Sequence, residues 1–387
     1  ANMQQIKDRK DALIKKSTDG IEGGIEKNKN ITFFHGEAKF LADYEVEVNG
    51  EQLTAPQIFI NVGGRPFVPS EYQDVPYLTN RNILDLTELP EHLIVIGGSY
   101  IGLEFGQIFK RFGSKVTVIE RGDRIIARED EEVSKSVTGF MKDEGVDFVF
   151  DSKKIELEKS ESGIVATIND SQKIEGSHVL LAIGRKPNSD SLGLENTNIK
   201  TNDRGFVEVD DYCKTSVEGI FAMGDCNGKG AFTHTAYNDF QIVKNYLFED
   251  KSRKISDRIQ TYGLFVDPPL GRCGMTRKQA LDKGINVLEG RREMSRISRA
   301  KEKGETNGFM QILVDGDTEK IIGAAILGVG GDEIITSIMN VMYADKSYKL
   351  IRDSIVAHPT VSELIPTTLE NLSPNQLIYK AGKLIIM

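Results

Sequence analysis

Cysteine is scarce in this chain of 387 residues: Cys213, Cys226 and Cys273 are the only three, and none is spaced as a metal knuckle or as a CxxC or CxxxxC redox pair. That leaves no metal-ligand cluster to argue from, and it suits a reduced, cytoplasmic setting. Long apolar runs are lacking as well. The longest one free of charge, Ile321 to Gly331, is short and glycine-rich, and the first residues are polar and lysine-rich, so the sequence argues against a bilayer span or signal peptide. Positive charge is in deficit, with 49 Lys and Arg against 58 Asp and Glu, a net charge of -9 and a pI near 5.3. A nucleic-acid partner or an anionic membrane surface is therefore not expected, since phosphate rewards basic surfaces. The local exception, Arg291 to Lys303, carries six basic residues against two Glu and reads as a solvated surface or interface loop. Repeats and low-complexity tracts are absent. What is present, 39% hydrophobic and 28% charged residues, suits a globular protein of two or three domains.

The pattern along the chain is that of an α/β protein. Residues 1–30 form a charged, helix-compatible segment with a glycine-rich break at Gly20 to Gly24. Strands are expected at Ile31 to Phe34 and Glu45 to Val48, with Asn49-Gly50 as a hairpin turn. Gln57 to Val62 reads as a strand ending in the turn Gly63-Gly64-Arg65-Pro66. From Leu93 a regular order begins: strand 93–96, a helix from Tyr100 to Phe112 stopped by Gly113, and strand Lys115 to Glu120. Val179 to Ile183 is a further buried strand, followed by strands at Phe206 to Val209 and Ile220 to Met223 and a helix from Ala236 to Phe248. From Tyr262 onward, strands (Gln311 to Val314, Ile321 to Leu327) and helices (Asp332 to Tyr343, Thr360 to Asn371) indicate an α+β domain.

The motif that carries most chemistry is Gly97-Gly98-Ser99-Tyr100-Ile101-Gly102, a G-x-G-x-x-G frame whose middle glycine has become Ser99. The first glycine turns the chain, the second position admits backbone to a pyrophosphate, and the third lets helix and strand pack closely. Serine weakens the match but brings a hydroxyl. The frame follows an apolar strand, opens a helix, and precedes a strand ending in Glu120, 23 residues after Gly97, which together indicate a dinucleotide site. Glu120 suits the ribose hydroxyls of NADH, whereas Arg121 or Arg124 would suit the 2′-phosphate of NADPH unless they are surface charges. Asp225, after Gly224 at a strand end, fits either a ligand for a polyol hydroxyl or a helix N-cap. His358 and Glu363 fit either an oriented acid/base imidazole or, through Thr360-x-x-Glu363, a capping box. His35, His92, His178 and His234 are isolated and read as structural.

These stretches resemble, nearly end to end, the pyridine nucleotide-disulfide oxidoreductases, the class of glutathione reductase, dihydrolipoamide dehydrogenase and mercuric reductase. Gly36-Glu37-Ala38 resembles the family's adenine-contacting turn, Gly63 to Pro66 its domain-crossing loop, and Gly97 to Glu104 its nicotinamide fingerprint. Gly184-Arg185-Lys186-Pro187-Asn188 resembles the GRxPN turn, Thr215 to Asp225 the second flavin motif, and His358 to Glu363 the HPxxxE signature. The resemblance implies an NAD(P)-binding Rossmann-like domain (85–187) inserted in a partial FAD-binding domain (1–84 with 188–261), followed by an α+β dimerisation domain (262–387). By the same resemblance, NADH or NADPH gives hydride to FAD, which passes it to a disulfide or metal-ion substrate. Ala38, Gly63, Gly184, Gly224 and Asp225 would serve the flavin. Tyr100 would lie over the flavin and yield to nicotinamide, and Glu104 would pair with a lysine near the redox disulfide. His358 with Glu363 would act across a two-fold homodimer.

The departures from the family bear on activity. Its opening strand, glycine turn and CxxxxC helix have no counterpart here, so the sequence reads as most of such an enzyme without its N-terminal part. GGSYIG and Ser298-Arg299-Ala300 resemble the mercuric-reductase-like subgroup, yet a paired-cysteine tail is absent and the histidine is kept, which disfavours mercury. A small disulfide or a metal ion such as copper stays open. The competing expectations are a flavin-free, NAD(P)-binding dimeric fragment and an ordinary dehydrogenase with direct hydride transfer.

Overall fold

The computed structural model describes residues 1–374, 377–380 and 383–386, with side chains through 374. Two compact units arise, Ala1–Leu89 with Leu181–Arg258, and Pro90–Leu180 with Ile259–Met387.

The first unit opens with the helix Met3–Lys27, capped by the Asn2 side chain, which accepts from the Gln5 amide at 3.1 Å. The helix runs through Gly20, Gly23 and Gly24, where a break is expected from sequence. Each glycine costs only about 1 kcal/mol, and good helix formers with ion pairs Lys7–Asp11 and Lys15–Asp19 one turn apart continue it. An antiparallel meander follows, Ala38–Ala42, Glu45–Val48 and Glu51–Thr54. Its second turn is Asn49-Gly50, with φ of 53° and 84°, the left-handed pair that a two-residue hairpin requires. Residues 31–34 form no strand; Ile31 and Phe33 are exposed, so their alternation has no face to bury. Ile58–Ile60 pairs in parallel with Ile220–Ala222, and Gly64–Pro66 pairs antiparallel with Arg185–Pro187. Phe40, Ile60, Leu192, Val207, Ile220 and Cys226 share one core. The expected strand at Phe206 to Val209 is reduced to a single bridge at Val207, and the following helix starts earlier, at Thr233.

In the second unit a four-stranded sheet has the order His178–Leu181, His92–Ile96, Lys115–Ile119, Asp147–Val149, the last three parallel. His92–Ile96 is buried throughout, as a strand covered on both faces must be. Helices Tyr100–Phe112 and Glu131–Asp143 alternate with these strands, and a meander, Ile155–Ser160, Gly163–Ile168 and Gln172–Gly176, precedes the strand at His178. Residues from Thr261 build a six-stranded antiparallel sheet with Phe309–Asp315 and Ile321–Leu327 at its centre, covered by Gly331–Tyr343 and Leu364–Glu370. The last of these helices begins at Leu364, not at Thr360. The Thr360 hydroxyl donates to the Ala357 carbonyl and accepts from the Glu363 amide, closing a turn ahead of the helix. Among the described residues no helix is long and apolar enough to cross a membrane.

Candidate functional sites in the two units

At the carboxyl end of His92–Ile96 the chain turns at Gly97, whose φ is 108°. A Cβ on Gly102 would fall 2.0 Å from the Gly97 carbonyl oxygen, and one on Gly98 would fall 2.7 Å from Ile125 Cγ2, so both positions require glycine. Ser99 caps the helix Tyr100–Phe112 by backbone alone; its side chain is exposed and makes no cap hydrogen bond. The first-turn amides, which have no acceptor within the helix itself, are what a pyrophosphate would meet. Ile101 is half-buried on the same first turn.

Glu120 fastens this turn from the neighbouring strand. One carboxylate oxygen accepts from the Gly98 amide at 2.7 Å and the other from the Gly122 amide at 2.8 Å. Arg121 is exposed, and Arg124 donates to the Ala127 carbonyl at 3.2 Å. Glu104, farther along the helix, accepts from the Phe265 amide at 2.9 Å. Burial raises its carboxyl above the ordinary value, and the amide bond opposes the rise. An acid raised in this way holds its proton more tightly folded than unfolded. Its stabilising contribution is therefore complete below the unfolded value and is lost as pH climbs through the folded one. Glu104→Gln keeps the acceptor and removes the titration. The variant is expected to melt higher than the parent near pH 7, with the gap closing on the acid side of about pH 4.3, the ordinary carboxylate value. Thermal unfolding over that range measures it, and a gap indifferent to pH would refute the assignment.

The His358 imidazole is 78% exposed, and its Nδ1 lies 2.8 Å from Oε2 of the largely buried Glu363. Of the two readings open in the sequence, the closed capping box does not form. The Thr360 hydroxyl does accept from the Glu363 amide at 3.2 Å, but the Glu363 carboxylate is turned to the histidine. With Nδ1 engaged, Nε2 is the nitrogen left to exchange a proton.

The first unit gathers Gly63, Gly64, Gly184 to Asn188, Gly224 and Asp225 around its two short strand pairs. Asn188 donates from its amide to the Gly63 carbonyl at 3.1 Å, and Gly184 accepts from the Phe67 amide at 2.9 Å. Arg185 donates to the Gly64 carbonyl at 2.7 Å and to Asp225 Oδ2 at 3.2 Å. Asp225 is not a helix N-cap: Phe232 occupies that position for the next helix, and Asp225 sits inside the short turn Gly224–Asn227. Gly224, with φ of 72°, donates to the buried Asp239 carboxylate at 2.9 Å, and Arg258 pairs with the other oxygen of Asp239. Ala38 lies apart from this cluster, opposite Val48 in the meander.

Sequence reading missed Asp239 and Arg258, and in the second unit Glu129, Tyr262 and Arg272, because a buried polar group is recognised by its surroundings and none of these lies in a motif. A cavity of about 440 Å³ at the amino ends of the parallel strands, bordered by His92, Lys115 and Asp147, lies at the opposite strand ends from the Gly97 turn. His92 there contacts Thr117 at 2.9 Å and is buried, as a structural histidine would be. Among the described residues no group of His, Cys, Asp and Glu is arranged to hold a metal ion.

Residues 1–239 match the family described as pyridine nucleotide-disulphide oxidoreductase, and residues 261–369 match its dimerisation domain. The probable pyridine nucleotide-disulfide oxidoreductase RclA of Escherichia coli (strain K12) is 33% identical over 346 residues, covering 86% of this chain and 77% of that protein. A mercuric reductase of Staphylococcus aureus is 30% identical over 368 residues, 94% of this chain and 67% of that protein. A solved structure described as the Cu(II) complex of the HOCl-induced flavoprotein disulfide reductase RclA from Escherichia coli superposes with a TM-score of 0.89 at 31% identity, covering 95% of this chain and 87% of that one. The fold is thus the mixed α/β fold of this family with a C-terminal dimerisation domain, and the chain belongs to the pyridine nucleotide-disulphide oxidoreductases, whose members are FAD- and NAD(P)H-dependent flavoprotein disulfide reductases.

Proposed function

We propose that this protein passes reducing equivalents from NADH or NADPH through flavin to a disulfide or metal-ion substrate, as a homodimer formed through residues 262–387 in the reduced setting of the cytoplasm. The observation that carries the reading is the bond from Glu363 to His358 Nδ1, which leaves an exposed Nε2 for proton exchange. The residues present fit the nicotinamide nucleotide they would hold. Glycine is enforced at Gly98 and Gly102 by sub-contact distances, and the helix start at Ser99 and Tyr100 offers amides to a pyrophosphate. Glu120, clamped by two backbone amides, keeps lone pairs for ribose hydroxyls and favours NADH over NADPH.

For the flavin, Asp225 would take a polyol hydroxyl, Gly63, Gly184 and Gly224 would admit close backbone, and Ala38 would face the adenine. When bound, FAD supplies the two-electron chemistry that amino-acid side chains lack. Residues 1–84 with 188–261 would then form the flavin-binding part, and 85–187 the nicotinamide-nucleotide domain. The work left to this chain is to orient the nicotinamide nucleotide at the Gly97 turn, with Glu104 and Tyr100 beside it, and to move a proton at His358 Nε2. Glu363 holds the imidazole through Nδ1 and so fixes its orientation.

The test is anaerobic mixing of the FAD-supplied protein with NADH, followed by a small disulfide. Bleaching of the flavin absorbance on NADH addition is expected, and its absence with NADH binding intact would favour the flavin-free reading. In a complete enzyme that also carries the family's CxxxxC pair, His358→Gln is expected to slow reoxidation by the disulfide by about 100-fold or more while bleaching keeps its rate. Equal loss in both half-reactions would remove His358 from the proton-transfer role.

A further inference from the structure

Tyr100 is the first residue of the helix that opens the nucleotide turn, and its half-buried ring meets Tyr262 edge-on, with centroids 5.5 Å apart. The two hydroxyls are within hydrogen-bond reach of each other. Tyr262 donates in turn to Oε1 of the buried Glu129, a carboxylate that the Tyr100 hydroxyl also reaches. Glu129 is not free to follow. Its other oxygen lies 3.4 Å from Nε of Arg272, a residue 1% exposed that stands directly opposite Tyr262 across the antiparallel strand pair. Arg272 is fixed from its far side by Asp130 at 3.3 Å, and Asp130 is itself fixed by the Arg277 amide at 3.0 Å. Burial, with the Glu129 charge, pushes the Tyr100 phenol up to about 12 and Tyr262 higher still, so both hydroxyls keep their protons at neutral pH. The order from the sheet outward is thus a braced cation, a braced carboxylate, a phenol with one direction to point, and the ring of Tyr100.

We propose that Tyr262, braced by Glu129 and Arg272, is a positioning residue that tethers the Tyr100 ring at the mouth of the nucleotide turn, so that the nicotinamide end of NAD(P)H enters only by breaking that tether. The inference rests on the reading of Gly97 to Gly102 as the nicotinamide-nucleotide site and of Tyr100 as the ring that yields. It assigns Tyr262 and Glu129 an effect on one half of the ligand only. The adenosine and pyrophosphate meet the turn and Glu120, whereas the nicotinamide must displace Tyr100.

Calorimetric titration of the full chain with NADH and with ADP-ribose, which lacks the nicotinamide, separates the two halves. Tyr262→Phe keeps the ring and removes the hydroxyl that holds Tyr100 from the Tyr262 side, leaving Tyr100 only its own reach to Glu129. Relief of one net hydrogen bond is expected to tighten NADH about two- to ten-fold, while ADP-ribose binding holds within about two-fold of the parent. Tyr100→Phe breaks the same link from the other side. It also removes the reach of Tyr100 to Glu129, so it is expected to tighten NADH at least as much as Tyr262→Phe, and the double variant no further than Tyr100→Phe alone, since the Tyr100–Tyr262 interaction is lost only once. NADH binding that is unchanged or weaker in Tyr262→Phe, or an equal shift for both ligands, overturns the tether and leaves the nucleotide site standing. A parent chain that binds neither ligand overturns the nucleotide reading and the tether together.

Discussion

Gly102→Ala is expected to abolish measurable NADH binding, a loss of at least about 100-fold, because the helix can no longer lie against the turn that receives the pyrophosphate. The added methyl would fall 2.0 Å from the Gly97 carbonyl oxygen and 3.1 Å from Val95 Cγ1. The first of these is backbone and cannot rotate away, so the helix start must move off the strand and take its amides with it. A control lies one turn farther on. A methyl on Gly106 would meet Val116 and Val118 only at 3.7 Å, ordinary contact distance, and alanine is the better helix former. Gly106→Ala is therefore expected to bind NADH as the parent does and to be up to about 1 kcal/mol more stable. Titration calorimetry and thermal unfolding of both variants measure this. Parent-like affinity in Gly102→Ala would mean that close helix–strand packing is not what builds the site.

That contrast shows which features were legible in the sequence. Gly102 and Gly97 belong to a local device of strand, turn and helix, whose spacing is set within a few residues and can be read before any fold is known. Glu120 was legible as a residue near the ribose, but not as the clamp on Gly98, since that bond spans two strands. For His358 and Glu363 the sequence left a cap and a dyad open. Only the direction of the Glu363 carboxylate separates them, and direction is not a property of spacing. The same holds for Asp225, whose partner Arg185 lies 40 residues away. Local propensity misled at two places. The glycines at Gly20 to Gly24 did not end the first helix, because their penalty is smaller than what the flanking turns contribute, and residues 31–34 had the alternation of a strand but no partner edge. Least legible was the buried network. Tyr262 and Glu129 are 133 residues apart, and Arg272 sits in the strand Leu270–Gly274, which carries no motif.

The stability of that network gives the other large effect. Arg272→Met is expected to destabilise the second unit by about 3–5 kcal/mol, the usual result of removing one member of a buried ion pair, and to lower the melting temperature by roughly 10 °C. The reason is what remains. Arg272 Nε is within ion-pair range of Glu129 but lacks hydrogen-bond geometry, and among the described residues its Nη1 has no hydrogen-bond partner, so its hold on Glu129 is mainly one of charge. Methionine fills much of the volume and leaves Glu129 and Asp130 buried without their cation. Burial already raises the Glu129 carboxyl, against the pull of Arg272. Without that pull the folded value of Glu129 rises further, so the deficit is largest near neutrality and shrinks as pH falls toward the ordinary carboxylate range, where Glu129 accepts a proton. Arg272→Met combined with Glu129→Gln is expected to recover much of the loss, since Asp130 keeps its bonds to the Arg277 and Lys278 amides. Thermal unfolding of both variants from neutral to mildly acid pH measures each part. A single variant that melts with the parent would mean that Arg272 braces nothing, whereas a double variant no better than the single would place the loss in packing and not in charge.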